Sequence, residues 1–348
     1  MRAVEAELDF SLAPKTAAPL ELAEGVAWAA DLPPGPFVRH DDGWLALDTR
    51  AMTVCRHEHG RWQRWPLKLH GAEPHADLAL GVSRTGTLVL AFMDERHGHF
   101  RWLRHLRRAS RNTRSPIFVS RSEDGGRSWS EPVMIQDGYS GAVRSMVTLP
   151  DGRLVLAVQY LLPDQARYVS LTYFSDDDGR SWRASNWLDA GGRGHHDGAI
   201  EGYLLPLDDR RLWYLVRSNL DRFWHAYSSD GGQTWLETRP GFAASSSPGA
   251  LLRLSDGRIA LAYNPVGEHP PRRAGDFSER AASWYREALH LALLDEKGER
   301  ILDERPVARC EGAWLSYPHM AEPAPGRLWL TTLQSGLRLE INLEDLFS

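Results

Sequence analysis

The sequence contains 348 residues, of which 42% are hydrophobic and 25% charged, and its formal net charge is −5. This balance is typical of a globular protein and excludes a disordered chain, and the negative charge gives no general attraction for nucleic acid. No apolar run reaches the roughly 18 residues of a membrane-spanning helix, so we expect one globular domain over residues 1–348 with no membrane or nucleic-acid partner.

The first residues of the chain and its two cysteines allow a prediction of the cellular location of the protein. The first twenty residues lack the continuous apolar stretch of a secretory signal. The two cysteines, Cys55 and Cys310, are too few for a disulfide framework. We therefore predict free thiols in a cytoplasmic protein, although the two could pair if the chain ends met.

A tight turn followed by an alternating apolar strand recurs along the whole chain. The six copies are centred on Gly43, Gly86, Gly152, Arg210, Gly257 and Gly326. Asp-Gly between two apolar strands is a strong hairpin signal, because glycine adopts positive φ without steric cost. Spacings of 43 to 69 residues fit one four-stranded sheet per copy, and six such sheets arranged radially form a β-propeller.

A second repeat, Ser-x-Asp-x-Gly-x-Ser/Thr-Trp, lies among these turns. Its three copies are SEDGGRSW, SDDDGRSW and SSDGGQTW, ending at Trp129, Trp182 and Trp235. Their acids, Asp124, Asp177 and Asp230, are spaced by 53 residues. Asp and Ser side chains can hydrogen-bond a tight turn while Trp fills the space between sheets, so we expect all three indoles to be largely buried. Two eroded copies surround Glu58 and Asp295.

The octapeptides resemble the Asp boxes, or BNR repeats, of the sialidase (neuraminidase) superfamily. The resemblance covers roughly residues 40–340. It implies an all-β, six-bladed propeller of four-stranded antiparallel sheets, with the boxes on outer turns away from the active site.

Counting outward from the six turns predicts which residues share the central mouth. Nine residues before the turns of the second to sixth repeats lie Asp77, Val143, Glu201, Pro248 and Tyr317. Seven residues after them lie Met93, Gln159, Arg217, Asn264 and Leu333. Because the innermost strands of a propeller surround one axis, we expect these positions to converge, with Glu201 facing Arg217.

The resemblance assigns roles to several of these residues. Sialidases use a Tyr nucleophile whose pKa is lowered by a neighbouring Glu, an Asp general acid/base, and three arginines that hold the substrate carboxylate. The stretch AIEGYLLPLDDRRLWYLVRS resembles the segment carrying the catalytic Glu and an Arg, and implies Glu201 and Arg217. WLSYPHM implies Tyr317 as nucleophile. YNP followed by REALHLALL implies Arg286, with Arg272 and Arg273 of the intervening insertion as rivals.

Two departures from the family pattern concern the first arginine and the general acid. Where the first arginine is expected, EPHADLALG has His75 and no arginine, so we expect His75 or Arg96 to substitute. The family acid normally follows a segment like AFMDERHGHF, yet no Asp follows it until the first Asp box. The candidates for the acid are Asp77, Asp94, His97 and His99.

Two polar loops flank the predicted mouth. In GGRGHHDG, which leads directly into Glu201, we expect His196 to contact substrate. His195 and His196 would point to opposite sides of an extended segment, which disfavours a shared metal. The basic run Arg96–Arg114 is ordinarily a solvated face, but beside the mouth it could attract an acidic glycan or a partner subunit.

Together these features favour an exo-acting glycosidase that removes a terminal sialic acid or a related acidic sugar from a glycan, without a cofactor or metal. One alternative is a polysaccharide lyase in which His75, His195 or His196 abstracts a proton and Tyr acts as the acid. Another is a propeller that binds glycans without catalysis. The sequence leaves a homo-oligomer open.

Overall fold

The computed structural model describes residues 1–348, which form antiparallel sheets with very little helix. Six sheets are arranged as the blades of a propeller. The first strand of each blade packs against the first strands of its two neighbours, so that the six inner strands form a closed ring. The six-bladed β-propeller predicted from the turns is therefore confirmed.

The first three blades follow one another along the chain. Blade 1 consists of Phe37–His40, Gly43–Asp48, Thr53–Glu58 and Arg61–Pro66. Blade 2 consists of Pro74–Val82, Leu88–Asp94, Ile117–Ser122 and Val133–Gln136, with a small hairpin of Trp102–Leu103 and Arg108–Ala109 inserted. Blade 3 consists of Val143–Thr148, Leu154–Leu162, Arg167–Ser175 and Arg183–Ala184.

Of the last three blades, the fifth and sixth include strands from the beginning of the chain. Blade 4 consists of Ile200–Pro206, Leu212–Arg217, Arg222–Ser228 and Glu237–Ala243. Blade 5 consists of Ala250–Arg253, Ile259–Tyr263, Ala288–Leu294 and Ile301–Arg309, extended by Leu20–Leu22 and Arg2–Val4, with a hairpin of Arg272–Arg273 and Ala282–Ser283 inserted. Blade 6 consists of Pro318–Ala324, Arg327–Thr332, Arg338–Asn342 and, as its outer strand, Val26–Trp28.

The expectation of four strands per blade holds for five sheets, whereas blade 5 has six strands. The two additional strands come from the N-terminal segment, which has no turn repeat to signal them. Each of the six repeated turns joins the first two strands of a blade, as the hairpin pattern predicted.

The remaining elements are short. Two 3-10 helices cover Glu95–His97 and Arg104–Leu106, and an α-helix covers Leu343–Leu346. No helix has the length and apolar character needed to cross a bilayer. Cys55 and Cys310 are both buried free thiols, as predicted.

The three Asp boxes form turns between the third and fourth strands of blades 2, 3 and 4. In the first, Ser122 Oγ donates to Asp124 Oδ1 at 2.8 Å, and the backbone amide of Ser128 donates to the same oxygen at 2.9 Å. Burial alone would raise the pKa of Asp124, but these hydrogen bonds lower it to about 2. Asp177 and Asp230 make the same contacts. The predicted peripheral position of the boxes is confirmed.

The two eroded copies behave differently from each other. Asp295 accepts a hydrogen bond from the backbone amide of Glu299 at 2.8 Å, so it retains the box-like turn. Glu58 instead ends a strand and pairs with Arg56.

The indoles of the boxes are buried to different degrees. Trp235 is 2% exposed and Trp129 is 6% exposed, whereas Trp182 is partly buried. Trp182 packs at the edge of the cluster between blades 2 and 3, so it is the least buried of the three indoles.

We predict that Trp235→Ala lowers the free energy of unfolding by about 3–5 kcal/mol, because it removes a buried indole and leaves a cavity. Trp182→Ala should cost clearly less, since part of its ring already contacts water. Urea unfolding of both variants measures the difference. Equal losses would show that exposure does not determine the contribution of these side chains.

Candidate active site

A cavity of about 430 Å³ opens at the mouth of the propeller. Asp77, Glu201 and Tyr317 all line it, as the outward count predicted. A groove of about 500 Å³ also lies at the periphery beside the third Asp box. We place the candidate site at the mouth, because Asp77, Glu201 and Tyr317 line that cavity and not the peripheral groove.

Bulges in the inner strands carry three charged side chains of the site, of which Asp77 and Glu201 line the cavity. The strand register shifts between Pro74 and Leu78, between Val143 and Ser145, and between Ile200 and Tyr203. A bulge adds one residue to a strand and redirects its side chain. The redirected residues are Asp77, Arg144 and Glu201, which come from three successive blades.

The backbone is strained at the two central residues. Glu201 has φ of +47° and Tyr317 has φ of +67°, a left-handed region that residues other than glycine rarely adopt. Such conformations cost on the order of 1–3 kcal/mol and persist where the surrounding structure enforces them, frequently at functional sites. The strain at both positions marks this pair as a candidate functional unit.

Tyr317, Glu201 and Arg217 form one hydrogen-bonded cluster. Tyr317 Oη donates to Glu201 Oε1 at 2.8 Å, within the range expected for a nucleophile and its base. Arg217 Nη1 donates to Glu201 Oε2 and also to Tyr317 Oη, the latter at 3.3 Å. The remaining edge of the guanidinium is fixed by Ser246 Oγ, at 3.1 Å from Nε and 2.9 Å from Nη2.

Burial and the charges within this cluster shift the pKa values of Glu201 and Tyr317 in opposite directions. Burial would raise the pKa of Glu201, but the charge and hydrogen bond of Arg217 outweigh it and keep that pKa below its usual value. Burial and the negative charge of Glu201 raise the pKa of Tyr317 to about 12. The resemblance implies a tyrosine with a lowered pKa, but here the resting pair is a neutral phenol donating to a carboxylate.

Arg286 approaches the same tyrosine from blade 5. Its guanidinium carbon lies 3.9 Å from the centre of the Trp284 ring and 5.5 Å from that of Tyr317. Nη1 donates to Gln334 Oε1 at 2.8 Å and Nη2 to the carbonyl of Ser246 at 2.8 Å, while Nε has no partner. Burial lowers the pKa of Arg286 to about 10, so the group is a cation at neutral pH.

Asp77 lines the same cavity and is 2% exposed. Its Oδ1 accepts a hydrogen bond from Arg144 Nη1 at 2.7 Å. Burial raises the pKa of Asp77 to about 6, although Arg144 opposes the shift. An acid with this pKa can donate a proton near neutral pH, so Asp77 has the properties of a general acid.

Three histidines complete the lining of the cavity. His75 Nδ1 accepts from the backbone amide of Asp77 at 3.0 Å. His195 and His196 meet through their Nδ1 atoms at 2.6 Å, and the ring of His196 stacks on Phe277 at 4.4 Å. Burial lowers the pKa of both His195 and His196, most strongly that of His196, so both are neutral imidazoles. No group of three or more metal-ligating side chains accompanies them.

Insertions from blades 2 and 5 and the loop that carries His195 and His196 contact one another on one side of the mouth, and we call this group of segments the roof. The insertion of blade 5 holds the histidine loop, since the amides of His195 and His196 donate to the carbonyls of Asp276 and Phe277 at 2.9 and 3.0 Å. Asp197 Oδ1 accepts from Ser278 Oγ at 2.7 Å.

The basic run Arg96–Arg114 forms part of this roof, because Arg193 donates to two of its carbonyls. Many of its arginines pair with acids, among them Asp137, Asp164 and Asp276. This pairing reduces the charge that the run presents to solvent, and its attraction for an acidic glycan or a partner subunit stays a prediction.

Several sequence candidates lie outside the cavity. Asp94 caps the 3-10 helix Glu95–His97, accepting from the amide of Arg96 at 3.1 Å and from Arg96 Nη2 at 2.5 Å. Neither residue lines the cavity, so the structure brings neither the alternative acid nor the alternative cation to it. In the insertion, Arg272 pairs with Asp221 at 2.9 Å and Arg273 lies over Trp284, which leaves Arg286 in contact with the tyrosine.

The sequence count missed Arg144 and gave no role to Gln159 or Gln334. The count of nine residues reached Val143 and passed Arg144, which lies eight residues before Gly152 and is the bulged residue of its strand. Gln159 Oε1 accepts from the amide of Glu201 at 2.8 Å and helps to fix its strained backbone. A charged residue inside the apolar strand Val143–Thr148 was the signal that could have identified Arg144.

Sequence comparison agrees with this architecture. The profile of the BNR repeat-like domain matches residues 49–329, most of the chain. The chain belongs to the BNR repeat-like family. No curated protein matched the sequence.

Solved structures similar to this BNR repeat-like protein share its fold at low identity. A protein of unknown function from Dyadobacter fermentans has a TM-score of 0.60 and 17% identity, with 92% of this chain and 98% of that chain covered. A Hadza microbial sialidase has a TM-score of 0.61 and 15% identity over 91% of this chain and 67% of that one. Trypanosoma rangeli sialidase, solved as a covalent intermediate with 2,3-difluorosialic acid, has a TM-score of 0.56 and 15% identity, covering 90% and 54%.

Proposed function

We propose that this protein is an exo-acting glycosidase of the sialidase type, which hydrolyses a terminal sialic acid or related acidic sugar from a glycan. The observation that carries the proposal is the 2.8 Å hydrogen bond from Tyr317 Oη to Glu201 Oε1 at the mouth of the propeller. A partly buried, strained tyrosine bonded to a carboxylate is suited to nucleophilic catalysis. The sialidases among the similar structures support the same reading.

In the first step Tyr317 Oη attacks the anomeric carbon while the bond to the leaving oxygen breaks. Glu201 accepts the phenolic proton as attack proceeds, which offsets the high resting pKa of Tyr317. Asp77 donates its proton to the leaving oxygen. In the second step Asp77 accepts a proton from water, the hydroxyl adds to the anomeric carbon as the bond from that carbon to Tyr317 Oη breaks, and Glu201 returns the proton to Tyr317.

The positive charges around the tyrosine favour an acidic substrate. Three cationic side chains, those of Arg144, Arg217 and Arg286, lie around Tyr317. They outnumber the two carboxyl groups of the site, which belong to Asp77 and Glu201. Arg217 is fully occupied by Glu201, Tyr317 and Ser246. Arg286 is the better carboxylate anchor, because Gln334, which accepts from its Nη1, lines the cavity. A substrate carboxylate would replace the side chain of Gln334 there.

Asp77 should set the alkaline limb of the pH profile. Because the proton donor is the protonated form and its pKa is about 6, kcat/KM should fall roughly tenfold per pH unit above that value. Asp77→Asn should remove the limb and lower kcat/KM about 100-fold or more for poor leaving groups. Activated aryl glycosides, which need little protonation, should lose far less. A limb that persists in Asp77→Asn would assign the acid to another residue.

The reaction itself is tested by offering two substrate classes to the purified protein. A fluorogenic sialoside reports hydrolysis through release of its fluorophore, and uronate polymers report elimination through a rise in ultraviolet absorbance. Fluorophore release supports the proposal, whereas absorbance without fluorescence would replace it with a lyase. Silence in both assays would leave a glycan-binding propeller as the better description.

A lyase is the second candidate, and one specific observation favours it. His195 and His196 both line the cavity with lowered pKa values, so each is a neutral imidazole that can accept a proton at pH 7. In that reaction an imidazole would remove the proton next to a uronate carboxylate and Tyr317 would protonate the leaving oxygen. We favour hydrolysis because Glu201, and neither histidine, is bonded to Tyr317.

A further inference from the structure

Arg144 connects the two sides of the candidate site. Its Nη1 donates to Asp77 Oδ1 at 2.7 Å and its Nη2 to the carbonyl of Pro318 at 3.2 Å. Its guanidinium carbon lies 4.8 Å from the centre of the Tyr317 ring. One side chain from blade 3 thus touches the acid from blade 2 and the tyrosine segment that enters blade 6.

Stability alone gives a poor reason for a cation in this position. Arg144 is 2% exposed, and its Nε has no hydrogen-bond partner. Burying an ion pair sacrifices hydration that the mutual attraction only partly restores, and apolar replacements of such pairs are often neutral or stabilising. An incompletely satisfied buried guanidinium is therefore better explained by what it does to its neighbours.

We propose that Arg144 is a positioning residue that holds Asp77 and Tyr317 in one fixed constellation, so that acid and nucleophile act on the same bond. The inference rests on the proposed glycosidase function. Because Arg144 occupies Oδ1 of Asp77, the acidic proton is confined to Oδ2. The contact with the Pro318 carbonyl and the Tyr317 ring fixes the left-handed segment that carries the phenol.

The charged neighbours of Asp77 define what removing Arg144 would do. Arg144 and His75 lower the pKa of Asp77, whereas burial and the charge of Glu201 raise it. Arg144 is the only one of these neighbours that bonds the carboxyl group directly. Without it the acid should stay protonated to a higher pH.

The test compares Arg144→Met, Arg144→Lys and Asp77→Asn with the wild type on the glycoside that the wild type hydrolyses. Arg144→Met should lower kcat by about tenfold or more with KM changed less than about twofold, and should move the alkaline limb upward by roughly one pH unit. Arg144→Lys keeps the charge without the forked geometry, so kcat should fall while the limb stays near its original pH. A limb that does not move in Arg144→Met, or a loss confined to KM, would overturn the proposal.

A measurement independent of turnover separates this proposal from the proposed function. The carboxyl carbon of Asp77, assigned with Asp77→Asn, can be titrated by 13C NMR in the wild type and in both Arg144 variants. A raised midpoint in Arg144→Met supports the contact with the acid even where no glycoside is hydrolysed, in which case only the glycosidase fails. An unchanged midpoint rejects the role of Arg144 whatever the activity. Should Arg144→Met not fold, Arg144→Lys carries the test through kcat.

Discussion

Tyr317→Phe should reduce glycoside hydrolysis by at least about 1,000-fold, the scale of loss when the nucleophile of a hydrolase is removed. The substitution deletes one oxygen atom and leaves the ring between Arg144 and Arg286. The fold should therefore persist while Glu201 loses the proton that it would accept. Initial rates with a fluorogenic sialoside, together with unfolding curves of both proteins, measure the effect.

Tyr227→Phe is the matched control for this experiment. Tyr227 is also a partly buried tyrosine with an arginine partner, Arg239 at 2.9 Å, but it lies at the periphery of blade 4. Its variant should retain wild-type rates. If Tyr317→Phe hydrolysed the sialoside at a rate within about tenfold of the wild type, the phenol would not be the nucleophile.

Arg217→Met should lower the free energy of unfolding at pH 7 by about 3–5 kcal/mol, because it leaves the carboxylate of Glu201 buried without its counter-charge. The side chain of Arg217 is 0% exposed and that of Glu201 9% exposed, so water can compensate only in part for the lost partner. Urea unfolding at several pH values measures the loss. Arg217→Met combined with Glu201→Gln should be clearly more stable than Arg217→Met alone.

The loss should depend on pH in a defined direction. In the wild type the folded pKa of Glu201 is lowered, so its contribution to stability is present above its unfolded pKa and is lost as the pH falls. In Arg217→Met burial should raise this pKa, so the variant should be most stable in acid and weaken as the pH rises. The gap between the two proteins should widen from about pH 4 to pH 7. A gap independent of pH would mean that lost packing, and not the uncompensated charge, causes the instability.

The ring of six blades could be predicted from sequence because each blade repeats the same local chemistry. Turns such as that at Gly152 and boxes such as that at Asp124 depend on neighbouring residues only, which a single sequence displays in full. The strands Arg2–Val4 and Leu20–Leu22 could not be predicted in the same way. They extend the outer edge of blade 5, which is formed by residues far away in the sequence. No local sequence pattern predicts this pairing.

The site was predictable only where its residues lie at one fixed distance from their turns. Asp77, Glu201 and Tyr317 were reached by counting nine residues, whereas Arg144 was missed because it lies eight residues before Gly152, at a bulge placed closer to its turn. The protonation states of the site residues are harder to predict from the sequence than their positions. The resemblance implies a lowered pKa for the tyrosine, but the pKa of Tyr317 follows from burial and from the distance to Glu201, which only three-dimensional structure supplies.

The outer strand of blade 6 has a consequence for how the chain folds as it is synthesised. Val26 pairs with Ile341 and Trp28 with Leu339, so this strand meets its partner only after more than 300 further residues have been synthesised. Blades 2, 3 and 4 draw their four strands from continuous stretches and can form in turn behind the ribosome. The circle can close only when the strand Arg338–Asn342 has been synthesised as well, so the mouth that holds Tyr317 takes its mature shape only after blades 2, 3 and 4 are complete.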